Sequence, residues 1–444
     1  MRKKWTLALA TLLTGVMLAS CGETPAPVNG SDALSGEPIT IIEPSLTPPA
    51  ESQSAENNAG EKQNEDSQGS TPLESDSQES KEGNDKAQEG NANSKTPIDI
   101  SQCYRSELTG EWISNDLKEQ RPVAIMVDNE ILTYPHYGIN QADVVYEMMN
   151  STANGRITRF MCIVKDYAQI TRFGGVRSIR PTNFLVGFPY EVIFCHDGGP
   201  FYINDYVAKK YCNHFSGIFG RFTRPASERP SWATSYAGRS YGSEFTEFAT
   251  YEDYKNPNTG KTYTGLKKAI ANAKFSKDYS SSYQGTGFIF LEDGETDLSD
   301  KKNVKSATDI KLPFQHTSTA LKYNSSTKTY DLYEYGNVHT DAEDNDNVTT
   351  FKNVLILNCS FSQLDEHGYM IYNYYNHNAN LKDRADGYYL TNGNAIPIKW
   401  DKTNKDTEPA HYYDASTGKE IEMNVGKIYI SLVPSDSWSK LSIK

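Results

Sequence analysis

Between Gly22 and Ile100 the chain has no Phe, Trp or Tyr. The stretch is filled instead with Glu, Ser, Asn, Gln, Gly and Pro, and such a composition cannot bury enough apolar surface to offset the entropy of ordering. A packed core is excluded there, and the segment reads as a disordered tether with a span of about 50 Å. Its 16 acidic residues against 4 lysines carry −12 of the chain's −13. The N-terminal leader adds three positive charges, so residues 101–444 are left with −4. That distribution argues against an acidic protein built to hold basic partners, because the charge sits on a segment that only solvates itself. No net basic domain is present either, which argues against nucleic acid as a partner. Also missing are a repeat of fixed period and, after the N-terminal leader, any apolar run of membrane-spanning length.

What is present begins at the N-terminus. Arg2, Lys3 and Lys4 precede an apolar run from Leu7 to Leu18, too short to span a bilayer comfortably. Met1 to Ser20 therefore reads as a signal peptide. It ends in Leu18-Ala19-Ser20-Cys21, which resembles the lipobox of bacterial lipoproteins, in which the cysteine receives acyl chains such as palmitate and becomes the mature N-terminus. An ordinary cleaved signal with a chance cysteine is the plainer alternative. The lipobox implies a protein anchored to the cell membrane through Cys21 and facing away from the cytoplasm.

Five cysteines follow Cys21, an odd number. Cys162 in "FMCIV" and Cys195 in "VIFCH" lie in apolar runs and read as small buried hydrophobes. Cys103 and Cys212 are the pair to test as a disulfide.

The folded part, from Ser101, is long enough for two domains, taken as 101–300 and 301–444 after a signal peptide (1–20) and a lipidated, acidic tether (21–100). In the first of them β-rich runs alternate with helix-like stretches: "PVAIMV", "NQADVVYEMM", "ITRFMCIV", "PTNFLVGF", "EVIFC" and "YINDYVAKKY". That alternation predicts an α/β domain with a mixed, partly parallel sheet. Gly265 to Phe275 adds a further helix. Beyond about Ala307 strands and turns take over, with hairpins over "TALKYNSSTKTYDLYEYG", "GYYLTNGNAIPIKW" and "HYYDASTGKEIEMNVGKIYISLVP". The fold class is α+β overall, with a mostly antiparallel second half.

The order "RPVAIMVDN", "ADVVYE", "ITRF", "GGVRSIRP", "HDGG" and a β-rich tail ending "GKIYISLVP" resembles the YerB-like bacterial lipoproteins, a family of domains of unknown function. The resemblance covers Arg121 to Pro434. It implies an N-terminal domain carrying the arginine motif and a C-terminal domain matching the β-rich half, with no established activity. The chain departs from that pattern at Asp197, where a small residue is expected, at Gly155-Arg156, where two glycines are expected, and near "RPSWATSY" in place of an Ala-Pro-His-Asn stretch.

"RFGGVRSIRP" places three arginines around a Gly-Gly turn ahead of a helix start at Pro181, with Ser178 as the cap. Ligands of open α/β sheets bind beyond the carboxyl ends of the strands. There Asp128-Asn129 and His196-Asp197 would meet Arg159, Arg177 and Arg180. Three readings of this rim stand side by side. In one the arginines clamp an anionic cell-wall polymer or another envelope component or protein partner. In another, Asp128, Glu147 and Asp197 simply pair with Arg159, Arg177 and Arg180. In the third, Asp128, His196 and Asp197 hold a metal for hydrolysis of an envelope phosphodiester or glycan, although no His-x-x-x-His spacing supports it. No cofactor is implied, and non-catalytic binding is the leading expectation.

Two further motifs are set aside. "GRSYG" (Gly238 to Gly242) matches G-x-S-x-G, but "SWATSYA" before it is no apolar strand and "SEFTEFATY" after it is no helix, so Ser240 is not read as a nucleophile. Tyr333 with Tyr335, and Tyr372 with Tyr374, could form rows that stack on sugars, but aromatics favour strands in any case. The anchor is testable: Cys21→Ala should move the protein from the membrane fraction to the soluble or secreted fraction, and unchanged membrane retention would contradict lipidation.

Overall fold

Val123–Asp128 is buried along its whole length, as a strand covered on both faces must be. In the computed structural model, residues 99–153, 155–217, 220–224, 226–236, 239–240 and 244–444 are described. The signal segment, Cys21 and nearly all of the tether lie outside the described residues. Within "GRSYG" only Arg239 and Ser240 are described, as a two-residue strand.

Among the described residues the largest sheet has 11 strands. The strands that matter here, in chain order, are β1 (Val123–Asp128), β2 (Val144–Met149), β3 (Thr158–Val164), β4 (Ile193–His196), β5 (Asn213–Ser216), β6 (Lys305–Ser306), β7 (Ala320–Asn324), β8 (Thr329–Glu334), β9 (Asn353–Cys359), β10 (Ala385–Thr391), β11 (Asn394–Asp401), β12 (His411–Asp414) and β13 (Ile428–Pro434). The large sheet runs β6-β11-β10-β9-β13-β2-β3-β1-β4-β5 with β12 on β11, while β7 and β8 belong to a second sheet. β1 is parallel to β4, and β4 to β5, while β3 is antiparallel to β1 and β2. β9 to β12 pair antiparallel. The mixed first half and mostly antiparallel second half follow the sequence pattern.

The helices are short. Helix α1 (Pro181–Gly187) starts at its proline, and α2 (Leu266–Ala273) lies within the expected 265–275. "YINDYVAKKY" yields only the single turn Asn204–Val207. "NQADVVYEMM" occupies a helix's place in the alternation but forms β2, because Val144, Val145 and Tyr146 suit a pleated strand and every residue of it is buried. The Asn392-Gly393 turn has both residues at positive φ, 49° and 77°, as a tight hairpin between β10 and β11 requires.

The last expected hairpin forms only in part. β12 is met by a bridge between Tyr413 and Glu420, but β13 leaves it and enters the centre of the sheet. There it lies parallel to β9 on one side and β2 on the other. All seven of its residues are buried, which suits a central parallel strand rather than a half-exposed hairpin arm.

Successive side chains of a strand point to opposite faces. Ala124, Met126, Met161, Ile163, Phe194 and Ile430 pack into one core layer. Val123, Ile125, Cys162, Cys195, Val354 and Tyr429 pack into the other. Each fully buried aliphatic side chain is worth about 1.5–3 kcal/mol, so both layers stabilise the sheet. Cys162 and Cys195 are buried as expected, and burial pushes both thiols up. Cys103 and Cys212 are not bonded: both are free thiols. Cys103 is held in a ribbon paired with Trp112–Ser114, while Cys212 packs into the first layer. The tyrosine rows do not form either. Tyr372 and Tyr374 are core residues. Tyr333 lies under Lys322 on the outer side of β8, whereas Tyr335, past the strand's end with φ 53°, turns inward to donate to Asn129 O at 2.7 Å.

A polar cluster interrupts the second layer. Glu147 of β2 accepts from Thr158 Oγ1 (2.6 Å), Thr319 Oγ1 (2.9 Å) and the Tyr429 hydroxyl. Thr319 Oγ1 also lies 2.9 Å from Glu334 Oε2 and 2.7 Å from Thr317 Oγ1. A hydroxyl has one proton and two acceptor sites. Thr319 satisfies both carboxyls only when one of them is protonated, donating to the charged one and accepting from the other, and Glu334 is the one pushed further up. Burial pushes both carboxyls up, and Glu147's charge pushes Glu334 further. The folded chain thus keeps a proton that the unfolded chain releases above the ordinary glutamate value of 4.5, and stability falls as pH rises from there. Glu334→Gln supplies an amide donor instead. It should fold, melt at or above the native chain in mildly alkaline solution, and lose that advantage as pH falls towards the ordinary glutamate range. Denaturation curves at about pH 5 and about pH 9 check this, and an equal pH dependence in both chains would contradict it.

Candidate functional site

"RFGGVRSIRP" crosses the carboxyl ends of β1 and β4. Val176 bridges Val127, Arg177 N–H donates to Met126 O (3.0 Å), Asp197 N–H donates to Arg177 O (3.1 Å) and Ile179 N–H donates to Gly198 O (3.1 Å). The two glycines are demanded by the strand Glu244–Ala249, against which Phe173–Gly174 pairs. A Cβ on Gly174 would sit 2.5 Å from Glu247 O, and one on Gly175 would sit 2.3 Å from Thr246 Oγ1. The cap of α1 is Arg180 rather than Ser178: Asn183 Oδ1 accepts from Arg180 N–H at 2.8 Å. The carbonyl of Ser178 instead accepts from Arg159 Nη1 at 2.7 Å.

The three arginines go separate ways. Arg172 lies 3.9 Å over the Tyr137 ring and pairs with Glu343 at 2.8 Å. Arg180 packs 5.1 Å over Tyr369 and donates to Ile179 O. Arg177 turns to Asp128 at 3.2 Å, and Arg159, opposite Asp128 in the β1–β3 register, approaches the same carboxylate at 3.7 Å. One carboxylate between two guanidiniums leaves the group positive. Side-chain exposure rises from 9% for Asp128 through 16% for Arg159 to 26% for Arg177.

Asn129 faces the other way. One residue beyond Asp128, it enters the buried cluster, accepting from the Tyr134 hydroxyl at 2.6 Å and donating to Thr158 Oγ1 at 3.1 Å. Glu147 lies in that cluster too, bound by hydroxyls rather than by an arginine. Of the expected ion pairs, those of Asp128 with Arg159 and with Arg177 are formed.

His196 lies at the end of β4, its Nδ1 2.8 Å from Gly198 O and its Nε2 3.1 Å from His214 Nδ1. The two rings are nearly parallel, 15° apart with centroids at 5.3 Å. Burial and the neighbouring His214 bring His196 down to about 4, and burial lowers His214 as well. Asp197 is half-buried at the same edge. Among the described residues no three His, Cys, Asp or Glu side chains gather as a metal-ligand set. Asp128, His196 and Asp197 do not form one, because both His196 nitrogens are already engaged.

Asp128, Arg159 and His196 thus stand at the end of the sheet where β1, β4 and β5 present their carboxyl ends, with Arg177 laid across it and His214, opposite Phe194, two residues short of it. His214 and Ser216, which accepts from Gly198 N–H at 3.1 Å, escape the sequence reading. Their strand, "NHFS", has a single apolar residue, and the only signal available was its short polar–apolar alternation.

Residues 108–255 match a family profile described as "Protein of unknown function (DUF3048) N-terminal domain", and residues 310–430 match the corresponding C-terminal domain. The chain belongs to the YerB-like family. A YerB-like relative, "Putative lipoprotein YerB" of Bacillus subtilis (strain 168), is 25% identical over 344 residues, 76% of this chain and 88% of the relative. The crystal structure of YerB protein from Bacillus subtilis aligns with a TM-score of 0.56 at 19% identity, covering 77% of this chain and 99% of that one. At that identity the likeness establishes the YerB-like fold alone. The rim residues fall within the N-terminal match, and no helix among the described residues is long and apolar enough to cross a membrane.

Stability separates the three charges of the rim. Asp128→Asn leaves two guanidiniums facing each other and should cost about 3 kcal/mol, the lower part of the range for removing one partner of a buried pair, since both arginines keep some solvent. Arg177→Gln leaves Asp128 paired with Arg159 and should cost about 1 kcal/mol. Thermal melts of the two variants check the order, and equal large losses would make Arg177 a structural staple.

Proposed function

We propose that this YerB-like chain is a lipid-anchored extracytoplasmic protein, held at the cell membrane through Cys21, that binds an anionic component of the cell envelope without turning it over. The observation that carries the reading is the imbalance at Asp128, where two arginines meet one carboxylate and Arg177 remains a quarter exposed. Arg177 uses Nε on Asp128 and Nη1 on Val176 O (3.3 Å), and its outer N–H groups are positioned for a further acceptor. The lipobox-like Leu18-Ala19-Ser20-Cys21 and the name of the Bacillus subtilis relative support the anchor. The tether from Gly22 to Ile100 would let the folded part, with its N-terminal and C-terminal divisions meeting near residue 300, reach about 50 Å from the bilayer surface.

Co-sedimentation of the full chain carrying Cys21→Ala with isolated cell-wall polymer tests the proposal. Binding should weaken with salt, and Arg177→Gln should lower affinity about tenfold. Equal retention of the Arg177→Gln chain would remove the rim from the function.

A further inference from the structure

Phe201 is the most exposed large apolar residue among the described residues, at 69%. Gly198-Gly199-Pro200 leads from β4 into a single turn of 3-10 helix, Phe201–Ile203. Ile203 packs into the first core layer, and Gly199 lies so close that a Cβ there would sit 2.5 Å from Ile203 Cδ1. With three residues per turn, side chains two apart point in different directions, so seating Ile203 inward leaves Phe201 outward.

Other rings support it. Phe201 packs on Tyr202 with centroids 4.0 Å apart, and Tyr202 lies 6.0 Å from Tyr369. The Tyr202 hydroxyl donates to Asp365 Oδ2 at 3.1 Å, while Asp365 Oδ1 accepts from the N–H groups of His367 (3.0 Å) and Tyr369 (3.1 Å). The Arg180 guanidinium lies 5.1 Å over the Tyr369 ring. Rings from both halves of the chain are thereby fixed together. Tyr202 covers part of Phe201 and leaves the rest of its ring to solvent. The turn that carries Tyr369 also presents the exposed side chains of Glu366 and His367.

Size and charge select the occupant. An aromatic side chain buries about 150–250 Å², whereas a stable protein interface takes about 800 Å² from each partner. The carboxylates of Asp365 and Glu366 disfavour an anionic membrane surface or nucleic acid. A sugar ring meets both conditions: its C–H face lies on the negative face of an aromatic ring, and hydroxyls at its edge donate to a carboxylate such as that of Glu366. We infer that Phe201, Tyr202 and the turn from Asp365 to Tyr369 form a subsite for a neutral saccharide unit of a glycan. The subsite does not depend on the reading of Arg177.

The probe is the uncharged β-1,4-linked tetramer of N-acetylglucosamine, titrated by calorimetry into the full chain carrying Cys21→Ala. Phe201→Ala removes a solvent-facing ring, so the thermal melt should stay in place while affinity for the tetramer falls about tenfold. Phe201→Trp, with a larger face, should bind at least as tightly as the native residue. Arg177→Gln should leave tetramer binding unchanged, which separates this subsite from the anion-binding rim. Absence of tetramer binding, or equal affinity in the Phe201→Ala chain, overturns the inference. So does binding to phosphatidylglycerol vesicles that Phe201→Ala abolishes, which would make the ring a membrane contact.

Discussion

The fold depends on the insertion of β13 between β9 and β2. Its seven residues form a parallel ladder with β9 over the full length and with β2 over five positions. Neither core layer is complete without it, since Ile428, Ile430 and Leu432 fill one and Tyr429 and Val433 the other. Ladder hydrogen bonds and two-sided apolar burial are both realised only when a segment near the C-terminus reaches a strand almost 300 residues earlier, a pairing whose loop-closure cost falls before its benefit. The N-terminal and C-terminal family matches therefore share one sheet.

The two faces of that sheet have been put to different uses. On one, the alternation that buries Met126 and Phe194 ends in Asp128 and His196, polar residues that are still buried at the strand ends. On the other, Asn129, Glu147 and Glu334 are sealed in. The two regions are joined through backbone: Asp128 O accepts from His136 Nε2 at 2.8 Å, His136 Nδ1 meets His339 Nε2 at 2.8 Å, and His339 Nδ1 meets Thr349 Oγ1 at 2.9 Å. The carbonyl of the rim's central carboxylate residue is thereby held by His136, which side chains from the chain's second half hold in turn.

Much of this was legible in the sequence because it rests on local signals. The apolar runs of β1, β3 and β4, the proline opening α1 and the Asn-Gly turn each state their structure within a few residues. Placing Asp128 and His196 at one edge required only that β1 and β4 be parallel neighbours. What was not legible depends on long-range choices. "GKIYISLVP" is equally apolar as a hairpin arm or as a central strand, and only its partners 75 and almost 300 residues earlier decide between them. Asn129 was misplaced because one step along a strand reverses a side chain, and adjacency in sequence is then distance in space. His214 was missed because a four-residue strand with one apolar residue leaves no periodicity to read.

The position of β13 also bears on when such a chain can fold. A polypeptide is synthesised from its N-terminus, and early segments wait for partners that come later. Here the first half cannot close its core early, since the strand that fits beside β2 lies almost 300 residues further on. Topology alone therefore ties the folding of the first half to the arrival of a late segment, so the arrangement of strands sets the order of events in folding.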